Sequence, residues 1–168
     1  MNINGWEYEI KPYANLQGAN LSKGFLVGVN LQKADLEDAY LVNANLSGAN
    51  LSGANFEGAD LEGADLSDAI IKNANFRGAD LINSHLSGAN LSGAKFWGAD
   101  LRYTDLRGTN LQDTLLWGTD LEGADLRNAD LRGANLRGAN LKDANLLGTN
   151  LEGTLLDKKK FDIGNEKL

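Results

Sequence analysis

From Leu16 to Leu156 every fifth residue is large and apolar, and the frame never slips: 29 consecutive positions hold Leu, Phe or the single Ile71. Two residues before each stands a small one, Ala in 20 pentads and otherwise Thr, Ser, Gly24 or Val29. Asn or Asp fills the position between them in 22 of the 29, and Gly follows two residues after the large side chain in 17. The unit reads A(N/D)LxG, clearest over 44–66 (ANLSGANLSGANFEGADLEGADL). A period of five matches neither 3.6 nor 3.5, so the apolar positions would spiral around a helix instead of forming a stripe. A glycine in nearly every turn would also cost a helix about 1 kcal/mol each. Flat strands fail too, because alternation restarts after every glycine. A turn after each pentad remains: Gly at its third position supplies the positive φ of a type II turn, and Asp38, Asn43, Asp68 and Asn73 tolerate the same region.

Four such corners close a square coil of 20 residues, and the next coil stacks on it by backbone pairing at about 4.8 Å. Rare residues recur at that interval. Phe56, Phe76 and Phe96 are the phenylalanines at the repeated position and lie 20 apart, Trp97 and Trp117 do the same, and TNLQDTLL (109–116) nearly recurs 40 residues on as TNLEGTLL (149–156). A coil of four pentads is favoured over three or five. Twenty-nine pentads give about seven coils and a rod of roughly 35 Å.

On this motif, which runs from Ala14 to about Asp157, the chain resembles the pentapeptide repeat family. The resemblance implies an all-β, right-handed quadrilateral β-helix, with the large and small residues inward and the other three outward. The Ala-Asn/Asp-Leu flavour is similar to that of members abundant in photosynthetic bacteria. Some members of the family mimic DNA and bind gyrase; those usually carry inserted loops and dimerise through an apolar end, and no inserted loop interrupts the frame here. The domain reading is an N-terminal cap (1–13), in which Trp6, Tyr8 and Ile10 alternate like a short strand before Pro12, a repeat β-helix (14–157), and a tail (158–168) that either caps the far end or is disordered.

Composition narrows the function classes. With no cysteine there is neither a disulfide nor a thiolate metal site. Glu7 and Glu9 and the lack of an apolar run in Met1–Pro12 are unlike a secretory signal, and no stretch reaches the roughly 18 apolar residues of a membrane span, so a soluble, cytoplasmic protein is expected. The net charge of −7 argues against direct nucleic-acid binding, which needs positive charge. His85 is the single histidine; Ser84 beside it should face inward as the small residue, so no triad with Asp105 is expected, and no cofactor or metal is implied.

With residues 20 apart becoming vertical neighbours, the surface reads as columns. Asp60, Asp80, Asp100 and Asp120 form one acidic column, and Asp65, Asp105 and Asp125 form another with His85 in the gap. Like charges about 5 Å apart repel by roughly 0.8 kcal/mol even in water, so these columns either mimic the charge spacing of DNA or are turn residues that bond nearby backbone, Asp being kept for solubility. Arg102, Lys142 and the stretch Arg127–Arg137 offset part of the field. The segment 34–71 holds Asp35, Glu37, Asp38, Glu57, Asp60, Glu62, Asp65 and Asp68 with no basic residue, which makes it either a site for a basic partner or a solvated acidic face. Arg77, Trp97, Trp117 and Arg137 should stack outside the Phe ladder, where a cation–π column beside Leu115 would suit a protein contact. Thr104, Thr109, Thr114 and Thr119 should face inward, one per corner of a single coil, which offers no flat outward array for ice or mineral. The leading expectation is a structural or protein-interaction rod of unknown partner, monomeric or forming an end-to-end or side-by-side homodimer. The alternative is a DNA mimic acting on a type II topoisomerase.

Overall fold

The computed structural model describes residues 1–156; the expected tail lies outside the described residues. The chain opens with a hairpin of β1 (Asn2–Ile3) and β2 (Trp6–Glu7), paired antiparallel. Its turn is Asn4-Gly5, with φ of 54° and 84°. Two successive positive φ values define the type I′ turn that joins strands most tightly, and Asn-Gly is its strongest sequence signal. The strand expected from the alternation of Trp6, Tyr8 and Ile10 is therefore shorter than that pattern suggested. Ile3 is the hairpin residue that enters the core, while Trp6 is exposed. At Gly24, the one glycine at a small-residue position, a Cβ would sit 2.8 Å from the Leu21 carbonyl oxygen and 3.2 Å from the Ile3 Cδ1, so the corner and the hairpin together leave no room for one. Two polar groups of this segment meet the first coil where no coil lies beneath it. The Asn20 N–H donates to the Tyr8 hydroxyl at 3.0 Å, and the Asn4 amide donates to the Ser22 carbonyl at 3.0 Å.

From Asn15 onward the chain forms a β-helix solenoid. Parallel bridges join residues 20 apart in unbroken succession, from Asn15↔Asp35 to Asn135↔Leu155. The first rung shows the pattern that repeats. Asp35 N–H donates to Ala14 C=O at 2.9 Å, Leu16 N–H to Asp35 C=O at 2.7 Å, and Gly18 N–H to Glu37 C=O at 2.8 Å, while Ala19 N–H closes the corner on Leu16 C=O at 3.0 Å. Four pentads make a coil, and four walls surround one core. We number the walls by their first large residue: Leu16, Leu21, Leu26 and Leu31.

The large residues from Leu21 to Leu136 are essentially inaccessible to solvent, and the small residues between them are buried as well, except Val29, which is partly buried. Inside the first wall Phe56, Phe76 and Phe96 stack with ring centroids 4.7 and 5.0 Å apart and planes within 6° of parallel. Parallel stacking at this separation lies within the range that aromatic pairs favour. The coil spacing imposes it. Thr104, Thr109, Thr114 and Thr119 do face inward, and each buried hydroxyl donates to a backbone carbonyl, of Leu101, Leu106, Leu111 and Phe96 respectively. In the last described coil Leu141, Leu146, Leu151 and Leu156 are partly buried.

The corners obey a second rule. The third turn position has positive φ throughout, in Gly18 (63°) and in Asp38, Asn43, Asp68 and Asn73 alike, and also in Lys23, Lys33 and Tyr103. A side chain at such a corner leans over the corner one coil later, and that next corner is repeatedly glycine. A Cβ on Gly63 would lie 2.5 Å from the Asn43 carboxamide oxygen, and one on Gly123 would lie 2.5 Å from the Tyr103 ring. Glycines here thus serve two purposes, of which only the first is conformational. Gly63 and Gly78 separate them, since both have φ of 63° but nothing lies within 4 Å of a Cβ at Gly78. Gly78→Ala should cost about 1 kcal/mol, the price of an L-residue in the left-handed region. Gly63→Ala should cost about 1 kcal/mol more, because Asn43 must move. Urea denaturation of the two variants measures the difference; equal losses would show that the corner neighbour contributes nothing.

Candidate interaction surfaces

The residue before each large one and the residue after it both point outward, so every wall displays two columns of side chains flanking a buried one. In the first of these columns Asn and Asp do the same local work. Asn45 Oδ1 accepts the Ser47 N–H at 3.0 Å, and Asp60, Asp65 and Asp80 accept the N–H of Glu62, Ser67 and Ile82 at 3.1, 3.0 and 2.9 Å. This is the Asx turn, which needs an oxygen two residues upstream and is indifferent to charge.

The two acidic columns expected from the sequence are present, with Asp60, Asp80, Asp100 and Asp120 in successive bridges on the second wall and Asp65, His85, Asp105 and Asp125 on the third. They are not uniformly anionic. Wherever the sequence reads Asp-Leu-Arg, the arginine folds back over the leucine and grips the aspartate two residues upstream. Arg102 holds Asp100 at 2.6 Å, Arg107 holds Asp105 at 2.6 Å, Arg127 holds Asp125 at 2.6 Å, and Arg132 holds Asp130 at 2.7 Å. Each pair is forked, through Nε and Nη2, the planar geometry that suits guanidinium to carboxylate. Arg132, helped by the Gln112 amide, brings the Asp130 carboxyl down to about 2, and the guanidiniums of Arg107 and Arg127 lower those of Asp105 and Asp125. At Asp100 burial pushes the other way and the Arg102 pair overcomes it. Asp120 accepts from the Asn140 amide at 2.9 Å, and its neighbour Glu122 pairs with Lys142 at 2.7 Å.

The other end of the rod differs. Of the eight acidic residues in 34–71, Glu57 alone among the described residues has a cation within 4 Å, Arg77 at 3.8 Å. Eight acids and no base give this stretch −8, against −7 for the entire chain, so the remaining residues sum to +1. The net charge of the molecule therefore resides in its early coils, and Asp60, Asp65, Asp80 and Asp120 are the column members without an ion pair among the described residues, Asp120 being held by the Asn140 amide instead.

Arg77, Trp97, Trp117 and Arg137 share the first wall, and both indoles are exposed, at 39% and 58%. They do not form the expected cation–π column. Among the described residues the cation–π contact is Lys33 over Tyr13, at 5.6 Å, while Arg77 reaches toward Glu57. Leu115 is half-buried beside them. Ser84 is buried with its hydroxyl unbonded, whereas His85 is exposed, so the two cannot act together. Among the described residues no group of three or more His, Cys, Asp or Glu is arranged to hold a metal ion. The forked Asp-Leu-Arg pairs were overlooked in the sequence, although the tripeptide itself was the signal at 100–102, 105–107, 125–127 and 130–132.

Comparison with known proteins agrees with this architecture. The model of pentapeptide repeats matches eight copies over residues 13–48, 49–88, 79–118 and 119–157. No curated protein sequence matches the chain. Among solved structures, QnrB1, a plasmid-mediated fluoroquinolone resistance protein, is 21% identical over 90% of this chain and 82% of its own, with a TM-score of 0.61. HetL, a pentapeptide repeat protein involved in heterocyst differentiation regulation from the cyanobacterium Nostoc sp. strain PCC 7120, is 29% identical over 86% and 79%, with a TM-score of 0.44. The pentapeptide repeat protein Rfr23 from the cyanobacterium Cyanothece 51142 is 36% identical over 58% and 64%, with a TM-score of 0.33. With the family model covering most of its length and its coils built as that repeat requires, this chain belongs to the pentapeptide repeat family.

Proposed function

We propose that this protein is a non-enzymatic interaction solenoid, a right-handed rod of about seven coils whose second and third walls present an anionic stretch to a basic protein partner. The observation that carries the reading is the sorting of charge: Asp60, Glu62, Asp65 and Asp68 of the second and third walls lie in a stretch, 34–71, without bases, whereas Asp100, Asp105, Asp125 and Asp130 are each gripped by the arginine two residues on. The turns do not demand the early aspartates, because asparagine makes the same Asx bond at Asn45 and Asn50. Unpaired carboxylates at ladder spacing raise the local potential and draw in cationic surfaces. The same sign disfavours nucleic acid as a direct partner.

The Asn equivalence gives a clean test. A variant carrying Asp60→Asn, Glu62→Gln, Asp65→Asn and Asp80→Asn keeps every turn acceptor and removes four charges. It should melt within about 3 °C of wild type, as surface changes away from buried features do. Affinity capture should lose the wild type's salt-sensitive partner with this variant; the same partner retained at equal strength would sink the reading.

A second reading is a DNA mimic that acts on a type II topoisomerase. It draws on Asp60 and Asp80, stacked at consecutive rungs with no ion pair among the described residues, and on the family resemblance. The forked pair at Asp100 and the amide bond at Asp120 shorten the uncompensated line and weigh against it. Purified protein at micromolar concentration should inhibit gyrase supercoiling if this reading holds. Unchanged supercoiling removes it.

A further inference from the structure

The outer charges of the first wall are sorted along the rod more sharply than those of the molecule as a whole. Its early rungs carry Asp35, Glu37, Asp38 and Glu57; from 75 to 156 it carries Arg77, Lys95 and Arg137 and no acid at all. The exposed indoles of Trp97 and Trp117 lie within the cationic half, with the half-buried Leu115 beside Trp117. A surface that is acidic at one end and cationic and aromatic at the other matches its own reversed image.

We propose that the first wall docks a second copy of this chain, side by side and antiparallel, about a twofold axis level with the midpoint between Arg77 and Trp97. A twofold lying in the interface and perpendicular to the rod inverts height but keeps each column over itself, which is the isologous geometry of most dimers. In the column after the large residues, Glu37 then faces Arg137 of the second copy, Glu57 faces its Trp117, and Arg77 faces its Trp97. In the column before them, Lys95 faces Asn75, Leu115 faces Asn55, and Asp35 faces Asn135. No like charges are opposed. The register is also selective: one rung toward the C-terminal end sets Lys95 on Lys95, and one rung the other way sets Arg77 on Arg77. A parallel pairing exchanges the two columns and brings Asp35 against Glu37. The cation–π contact that Arg77 and Trp97 do not make within one chain is available between two, and arginine and tryptophan are the residues most enriched at the energetic centres of interfaces.

This inference does not depend on the anionic stretch of the second and third walls, which the pairing leaves open. Sedimentation of the full chain at 10 to about 100 μM should show a species of twice the monomer mass that weakens with salt, as an interface steered by charge does. Glu37→Arg and Arg137→Glu should each raise the dissociation constant at least about tenfold, and the doubly exchanged variant should restore dimerisation, because close charge pairs across interfaces couple by such amounts. Circular dichroism melts confirm that each variant is folded. A wild type that stays monomeric, a dimer indifferent to both single exchanges, or a folded double exchange that fails to recover dimerisation overturns the proposal. Gyrase inhibition or partner capture through the second and third walls would be unaffected by these variants, so failure here and failure of the functional reading are distinguishable.

Discussion

Everything in this molecule follows from one constraint: the backbone of each pentad finds its hydrogen-bond partners 20 residues away, in the coil before and the coil after. A buried N–H or C=O left unpaired costs more than most side-chain contacts return, so the ladder sets the coil length and permits no slippage. Residues 20 apart are therefore locked at the rung spacing whatever their chemistry. Phe56, Phe76 and Phe96 stack with parallel rings for this reason, and Asp60 and Asp80 stand over each other despite their charge. Side chains here do not choose their neighbours. They inherit them from the ladder and settle the consequences locally, as when Arg102 grips Asp100 on its own strand.

The same constraint explains which parts of the fold were legible in the sequence. The inward positions were, because burial tolerates only a large apolar residue and a small companion there, and the Phe and Trp recurrences gave the coil length. The positive-φ corners were, through Gly, Asn and Asp. Lys33 and Tyr103 at such corners were not legible, since neither residue favours that region, and the neighbouring coil supports them. The glycine that follows an occupied corner by 20 residues is a pairwise rule and becomes visible only once coils are aligned. At the N-terminus the alternation of Trp6, Tyr8 and Ile10 outweighed the Asn4-Gly5 turn beside it, and the residue that enters the core proved to be Ile3.

The surface was legible as columns but not as contacts. Which side chains share a wall follows from counting by 20, and that count held for all the candidate residues. Which of them pair is decided by reach. Arg102, Arg107, Arg127 and Arg132 each have an aspartate two residues upstream on the same face and close on it. Arg77 has Asn75 in that place, a neutral acceptor, and turns to Glu57 on the preceding rung. At Arg77 this competition goes against the ring: a guanidinium near a carboxylate gains more than one near an indole.

Because Asn and Asp serve the turn equally well, the fold is blind to where the charges lie, and their distribution carries information that stability does not require. That distribution is graded twice. Along the molecule, compensation by arginine begins after the early coils; on the first wall, the sign itself reverses. The two gradients are compatible. In an antiparallel pair the first walls are consumed in joining the copies, while the anionic stretches on the second and third walls stay exposed, one in each copy on either side of the twofold axis. A partner with two basic sites spaced to match would then bind the second site at the effective concentration set by the first, and the rigidity of the ladder fixes that spacing. A monomeric rod with the same carboxylates would lack this gain, so the two surfaces bear on one property, the strength with which a rigid rod holds a basic partner.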